Sequence, residues 1–216
     1  MTYSYSTLKQ FDTCPRAYLH KHVLRSVKDK YTGDRTGGMD AHAVLEKAVL
    51  SGEPATSPET PYCASVLQSM PAGVVGYAEA KLAVDEHFAA TEFFSTSAWL
   101  RGMLDYLAVD KRTAVVLDWK FGKRYVDMFQ LDVFALLVFR AYNVQTVRAA
   151  FVWEQARATD KKTYTSDMVP QLASAVLARV QRIEDAMSAN NWPMQPSPLC
   201  KYCPVDKSRC SYGRDA

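Results

Sequence analysis

The sequence of 216 residues contains no apolar run of the roughly 18 residues that a membrane-spanning helix needs. Its longest apolar run, Val133–Phe139, suits a buried helix segment. The N-terminus begins with polar and aromatic residues, without a basic stretch leading into an apolar core. No secretory signal is visible, and a cytoplasmic setting with no membrane partner is the expectation. Charge of one sign is not in excess: the formal net charge is +3. That mildly favours a polyanion but decides nothing, because binding depends on where the charge sits. A disulfide framework is also lacking. The 5 cysteines are an odd number in no framework spacing, and clustered thiols in a reducing compartment more often bind metal. An ATP motor is missing too. Gly33 and Gly38 have Walker spacing, but Met39 and Asp40 stand where Lys and Ser/Thr are required, and FGK at 121–123 lacks the upstream glycine.

With 48% hydrophobic residues the chain can bury a substantial core, and its length suits a single domain over 1–216. Leu8, Phe11, Tyr18, Leu19 and Val23 recur roughly on one face of a helix over 5–27, which Pro15 should end or kink. A polar, Gly-bearing loop follows at 28–38, then a helix over 39–50, a Pro-bearing loop over 51–62 and a short helix over 64–70. Strands are expected at 74–84, 99–109 and 114–119, the last two joined by a hairpin turn at 110–112. An apolar helix over 127–142, a strand over 147–154 and a closing helix over 171–190 complete the order. The tail from Trp192 is rich in Pro and Cys and needs a staple. This order predicts an α/β fold with a mixed central sheet flanked by helices.

The most informative stretch is RGMLDYLAVDKRTAVVLDWKFGK, residues 101–123. Asp118 and Lys120 are two apart, so on a strand they share a face. A hairpin brings Asp105 close to Asp118. Two carboxylates brought together raise each other's pKa unless a cation lies between them. A lone D-x-K is an ordinary surface hairpin far more often than a site. Here, however, it ends a very apolar strand, and buried strands rarely carry Asp and Lys without a reason.

G-x-x-D, a short turn, an apolar strand and D-W-K-x-G-K resemble the core of RecB-like nucleases in the PD-(D/E)XK superfamily. The resemblance implies that Asp105, Asp118 and Lys120 form the active site. It also implies that His42 of GGMDAHAVLEKAV, with Glu46 one turn on, corresponds to the family's helix histidine. The implied ligands of Mg2+ or Mn2+ are His42, Asp105, Asp118 and the Trp119 carbonyl. Gln130 matches the glutamine of the family's Q-x-x-x-Y, but Phe134 replaces the tyrosine; Tyr125 and Tyr142 are substitutes that nothing in the sequence supports. Glu79 on the first strand, where many relatives carry an acid, ranks below the others.

Cys200, Cys203 and Cys210 form C-x2-C-x6-C, and a fourth thiol must come from Cys14 or Cys63. Iron–sulfur members of the RecB-like group, AddB-type subunits and CRISPR-adaptation nucleases among them, carry one cysteine before Pro-Arg and three near the C-terminus. The resemblance therefore implies a 4Fe–4S cluster on Cys14, Cys200, Cys203 and Cys210, with segments 1–28 and 192–216 joined by it. Cys63 is left as a small apolar filler. Structural Zn2+ is the competing cofactor, because thiolates suit both.

The expected activity is a metal-dependent DNA exonuclease preferring single-stranded or free-ended DNA, with Lys9, Arg16, Lys21 and Lys123 as candidate phosphate contacts and Tyr3, Tyr5, Phe11 and Tyr18 as candidate stacking residues, at least half of which are expected to pack in the core instead. Unwinding would need a helicase or recombination partner. Two alternatives stand beside it: a non-catalytic nucleic-acid-binding subunit, and a nuclease active only within a recombination or CRISPR-adaptation complex.

Overall fold

A computed structural model describes residues 1–28, 36–71 and 74–213. The chain divides into two compact units, Met1–Thr2 with Asp34–Ala173, and Tyr3–Gly33 with Ser174–Ala216. The expected loop at 28–38 lies mostly outside the described residues. Its last three positions belong to a helix.

Tyr3–Ser4 is a short extended segment, β1, that feeds α1 (Tyr5–Thr13). Ser4 starts this helix through a capping box: its Oγ accepts from Thr7 N, while Thr7 Oγ1 accepts from Ser4 N at 2.8 Å. Cys14 then turns to extended backbone at φ −165°, and Pro15 opens α2 (Pro15–Tyr18) at the position where its missing N–H costs nothing. The Cys-Pro pair thus sets a thiol at a break between two helices. One π-type turn, Leu19–Val23, follows. The closing helix α6, introduced below, returns to this unit. There Arg179 and Arg182 both pair with Asp12 of α1. The tail has more packing than its composition suggests. Trp192 is buried, stacked on Tyr18 at 6.3 Å and edge-on to Phe11, and Arg16 N donates to Pro193 O at 3.2 Å. Tyr3, Phe11 and Tyr18 are core residues here, the fate expected for at least half of the four aromatics, and they do not serve as base-stacking surfaces.

The other unit holds α3 (Thr36–Ser51), α4 (Pro61–Gln68), β2 (Gly76–Val84), β3 (Ala90–Thr91), β4 (Leu100–Asp110), β5 (Thr113–Lys120), α5 (Met128–Ala141), β6 (Thr146–Trp153) and β7 (Ala158–Thr165). Helix α6 (Val169–Ser188) begins in its range and continues through the first-described unit. The sheet order within this unit is β3-β2-β4-β5-β6-β7. Strands β5 and β6 pair in parallel, so their connection must cross over, and α5 is that crossover. Helix α5 packs closely on β4 at Gly102, where a Cβ would lie 2.5 Å from Leu137 Cδ1. A second cluster joins Leu45 of α3 and Cys63 of α4 to Tyr106, Leu117, Trp119 and Val152 of the sheet. Cys63 is fully buried there, as an apolar filler should be.

The ladder register creates an opening. The β4–β5 pairing runs from Asp110↔Thr113 to Tyr106↔Leu117 and stops. Beyond it β4 stays with β2 as far as Leu100↔Val84, while β5 stays with β6 as far as Lys120↔Trp153. The two strands part at the position where Asp105 would face Asp118.

Strand β7 was missed by the sequence reading, which assigned nothing between 154 and 171. Its ATDKKTYT buries only Tyr164, so it carries no apolar alternation. Its lysines suit an edge strand, where charge discourages pairing with another chain.

Helix α4 lacks a side-chain cap at Thr60, yet its first amides are satisfied. Glu154, at the end of β6, accepts from Tyr62 N at 3.1 Å and Cys63 N at 2.8 Å. Glu154 is buried. Glu154→Ala therefore strands two amides, and we expect a loss of about 2–4 kcal/mol in urea unfolding, with Glu154→Gln losing less.

Candidate active site

The parting of β4 and β5 exposes side chains that a continuous ladder would hold flat. Asp118 and Lys120 come from the end of β5, and Gln130 from the first turn of α5, whose N-cap Asp127 accepts from Phe129 N. Lys120 Nζ lies 2.5 Å from Asp118 Oδ2 and donates to Gln130 Oε1 at 3.2 Å. Gln130 Nε2 in turn donates to Asp118 Oδ1 at 2.8 Å. The amide thus uses both ends to fix the acid and the lysine relative to each other. On β4, Asp105 Oδ2 accepts from Trp119 N at 2.8 Å, which locks its carboxylate across the gap. His42 of α3 brings Nδ1 to 3.6 Å from the same oxygen, and its ring lies edge-on to Phe121.

Glu79 completes the group. It sits in the middle of β2 with φ +48°, a left-handed conformation that costs a non-glycine residue about 1–3 kcal/mol. The β2–β4 register is regular on both sides but omits Glu79 and Asp105, which would face each other. Among the described residues, His42, Glu79 and Asp105 bring one ligand atom each within 4.8 Å of one another. The sequence ranked Glu79 too low, because nothing in YAEAKL signals the backbone flip that frees it from the ladder. Asp118 is not in this trio, but it is close enough for its charge to act on Asp105.

The electrostatics follow from burial. The Asp105 carboxyl is held well above the usual range, first by desolvation and then by the Asp118 charge; Trp119 N–H and Lys120 oppose this. Burial also raises Asp118, against the charge and hydrogen bond of Lys120. Burial and then Glu46 raise Glu79. Burial and then Lys120 lower His42, which keeps its imidazole neutral and able to bind metal. Partly buried acids beside a neutral imidazole form a donor set that suits Mg2+ or Mn2+.

Phe134, at the position of the family's tyrosine, is buried, while Tyr125 is exposed and Tyr142 caps the far end of α5. Lys123 is also exposed in the loop after Lys120.

In the other unit, Cys14, Cys200, Cys203 and Cys210 line one cavity of about 400 Å³. Tyr5, Lys9, Arg16 and Lys21 line it as well. Burial raises the Cys203 thiol, and so do the other three thiols. Ser197 N donates to Cys200 Sγ at 3.4 Å.

The raised Asp105 has a testable consequence. Without metal, the folded state binds its proton more tightly than the unfolded state, so stability falls as pH rises from the unfolded pKa to the raised folded one. Asp105→Asn removes that penalty. Metal-free Asp105→Asn should melt a few degrees above wild type at pH 8, at roughly 2–4 °C per kcal/mol, with the gain shrinking toward pH 4. Thermal scans in chelator across that range check it; a lower Tm for the variant at pH 8 contradicts it.

Among the described residues no helix is long and apolar enough to cross a membrane. The model of the PD-(D/E)XK nuclease superfamily matches residues 2–211. The Gene 69 protein of Mycobacterium phage D29 is 30% identical over 112 residues, which span 50% of this chain and 42% of that protein. Two solved structures resemble it more distantly. A crystal structure of SSO0001 is 12% identical with a TM-score of 0.47, over 94% of this chain and 82% of that one. An alkaline exonuclease, LHK-Exo from Laribacter hongkongensis, is 9% identical with a TM-score of 0.39, over 87% of this chain and 90% of that one. The family match covers nearly every residue, including the parting strands and their acids: the chain belongs to the PD-(D/E)XK nuclease superfamily.

Proposed function

We propose that this protein is a divalent-metal-dependent deoxyribonuclease that hydrolyses DNA phosphodiester bonds from strand ends and prefers single-stranded DNA. The observation that carries this reading is the meeting of Asp105, Asp118 and Lys120 at the parting strands, beside a His42–Glu79–Asp105 group within 4.8 Å. His42, Glu79 and Asp105 would hold Mg2+ or Mn2+, with Asp118 and the Trp119 carbonyl as further oxygen donors. A bound divalent ion supplies Lewis-acid polarisation of the phosphate and a lowered pKa for an attacking water. Lys120 carries a donor-rich cation to the same place. It orients the water and offsets charge that develops on the phosphate oxygens. Gln130 holds Lys120 and Asp118 in register, so the ammonium is positioned before substrate arrives. The non-catalytic alternative is disfavoured by this intact set.

We expect Lys120→Ala to lose at least about a hundred-fold in cleavage while binding DNA nearly as wild type does. The check is end-labelled linear single strands with Mn2+ or Mg2+, run beside a covalently closed circle. Near-normal turnover in the variant would reject this active site. Equal digestion of the circle would reject end dependence. Activity of the isolated chain also separates an autonomous enzyme from a subunit that needs a helicase, recombination or CRISPR-adaptation partner.

We further assign the RecB/AddB-like iron–sulfur subtype, with a 4Fe–4S cluster on Cys14, Cys200, Cys203 and Cys210. Support comes from the cavity that the four thiols share. Lys9, Arg16 and Lys21 around the cavity suit the negative charge of such a group. Anaerobically purified protein should be brown. Cys14→Ser should bleach it and lower Tm, whereas Cys63→Ala should leave the colour intact. A colourless protein with one zinc per chain would move the assignment to a zinc clasp.

A further inference from the structure

Three of the four aromatics that the sequence offered for base stacking, Tyr3, Phe11 and Tyr18, are buried, but another pair is not. The loop from β3 to β4 presents Phe93 and Phe94 side by side, ring centroids 5.0 Å apart and edge to face. Phe94 is 77% exposed. Each ring has a cation over it: Lys81 Nζ is 5.5 Å from the centre of Phe94, and the Arg101 guanidinium is 5.4 Å from that of Phe93. Lys81 pairs in the ladder with Met103, which is 49% exposed. Met103 is two residues from Asp105, about 7 Å along β4. Lys81, Arg101 and Met103 thus lie along β2 and β4 between the exposed loop and Asp105.

The exposure of Phe94 is built rather than incidental. Ser95 N donates to Glu92 O and Ala98 N to Ser95 O, so the loop is two consecutive turns. The hydroxyl of Ser97 bonds both Thr91 Oγ1 at 3.0 Å and Ser95 Oγ at 2.8 Å. Arg101 Nη2 donates to Ser95 O at 3.1 Å. A tied loop that keeps a phenylalanine in water forgoes the burial that would normally claim it. Rings with ammonium and guanidinium groups beside them match one class of ligand closely, a strand offering unpaired bases and phosphates alternately.

The geometry points to Phe94, Phe93 and Lys81 as a platform that binds unpaired bases and backbone of single-stranded DNA entering the active site. This rests on the nuclease reading above and names its substrate: a paired duplex offers no base face to Phe94. The platform takes bases by stacking, without reading sequence, while Lys81 takes the phosphates and Arg101 holds the loop.

The test measures binding in chelator, so that cleavage does not intervene. Full-length protein is titrated by fluorescence anisotropy with a short oligothymidylate and with an abasic strand of the same length. Phe94→Ala should weaken the oligothymidylate about ten-fold and leave the abasic strand unchanged, because stacking needs a base. Phe94→Trp, with a larger face, should restore or exceed wild-type affinity. Lys81→Ala should weaken both strands and lower the salt dependence by about one ion. Phe94 is exposed, so its variants should keep wild-type Tm. Unchanged oligothymidylate affinity in Phe94→Ala overturns the platform, and is also the result expected if the patch docks a protein. If wild type cleaves with Mn2+ while Phe94→Ala binds normally, the platform falls and the nuclease reading stands. If Phe94-dependent binding occurs without any cleavage, the nuclease reading falls and the platform stands.

Discussion

Asp118, a buried carboxylate, and Asp105, a partly buried one, lie at the point where two neighbouring strands separate, and much of the surrounding architecture serves that arrangement. Two such groups repel each other and resist ionisation in a poorly solvated site. Each is therefore given partners that a regular hairpin cannot supply. Asp105 receives the Trp119 amide because β5 leaves β4 and turns that N–H into the gap. Asp118 receives Lys120 and Gln130, and Gln130 is available only because the parallel β5–β6 pair forces a crossover helix over the sheet. The parallel pairing of β5 with β6 thus has a chemical consequence. It delivers the start of α5 to the end of β5, where the charged residues are.

Much of this was legible in the sequence, for identifiable reasons. The stretch AVVLDWK reads as a buried strand ending in charge because apolar β-branched residues and a sudden acid leave few other interpretations. The apolar helix after it is equally plain, and Cys63 packs as a filler in the α4 cluster. What was not legible depends on geometry without a residue signature. Glu79 owes its position to a positive φ inside a strand, and any glutamate at that position would look the same in sequence. Strand β7 has polar residues at nearly every position and is defined by its ladder with β6 alone. Tyr3, Phe11 and Tyr18 looked like stacking candidates because aromatic residues carry no label for burial. Trp192 from the far end of the sequence covers Phe11 and Tyr18.

The two units use their few special residues in parallel ways. In the unit that carries the cysteines, the Cys14–Pro15 junction interrupts a helix and frees one thiol at the break. In the sheet unit, Glu79 interrupts a strand and frees one carboxylate. Each interruption costs regular hydrogen bonding, and each yields a side chain that regular structure would have turned elsewhere. Around both, the neighbouring elements are conventionally satisfied: Ser4 caps the helix before Cys14, and the β2–β4 ladder resumes on either side of Glu79. Local rules that fail in isolation, in surroundings that otherwise obey them, mark positions held by the rest of the structure.

The same reasoning distinguishes Phe94 from an ordinary exposed apolar residue. Isolated surface hydrophobics are common and need no account. Phe94 differs because its loop is tied by four hydrogen bonds from serines, a threonine and Arg101 that fix its exposure. Lys81 lies over its ring. A residue left in water by chance sits on a segment free to fold it away. Here the loop is held rigid, the rings are paired with positive charge, and the strand beneath leads toward Asp105. The substrate-facing strip therefore follows the same principle as the acids, an unfavourable local placement maintained by favourable bonds around it.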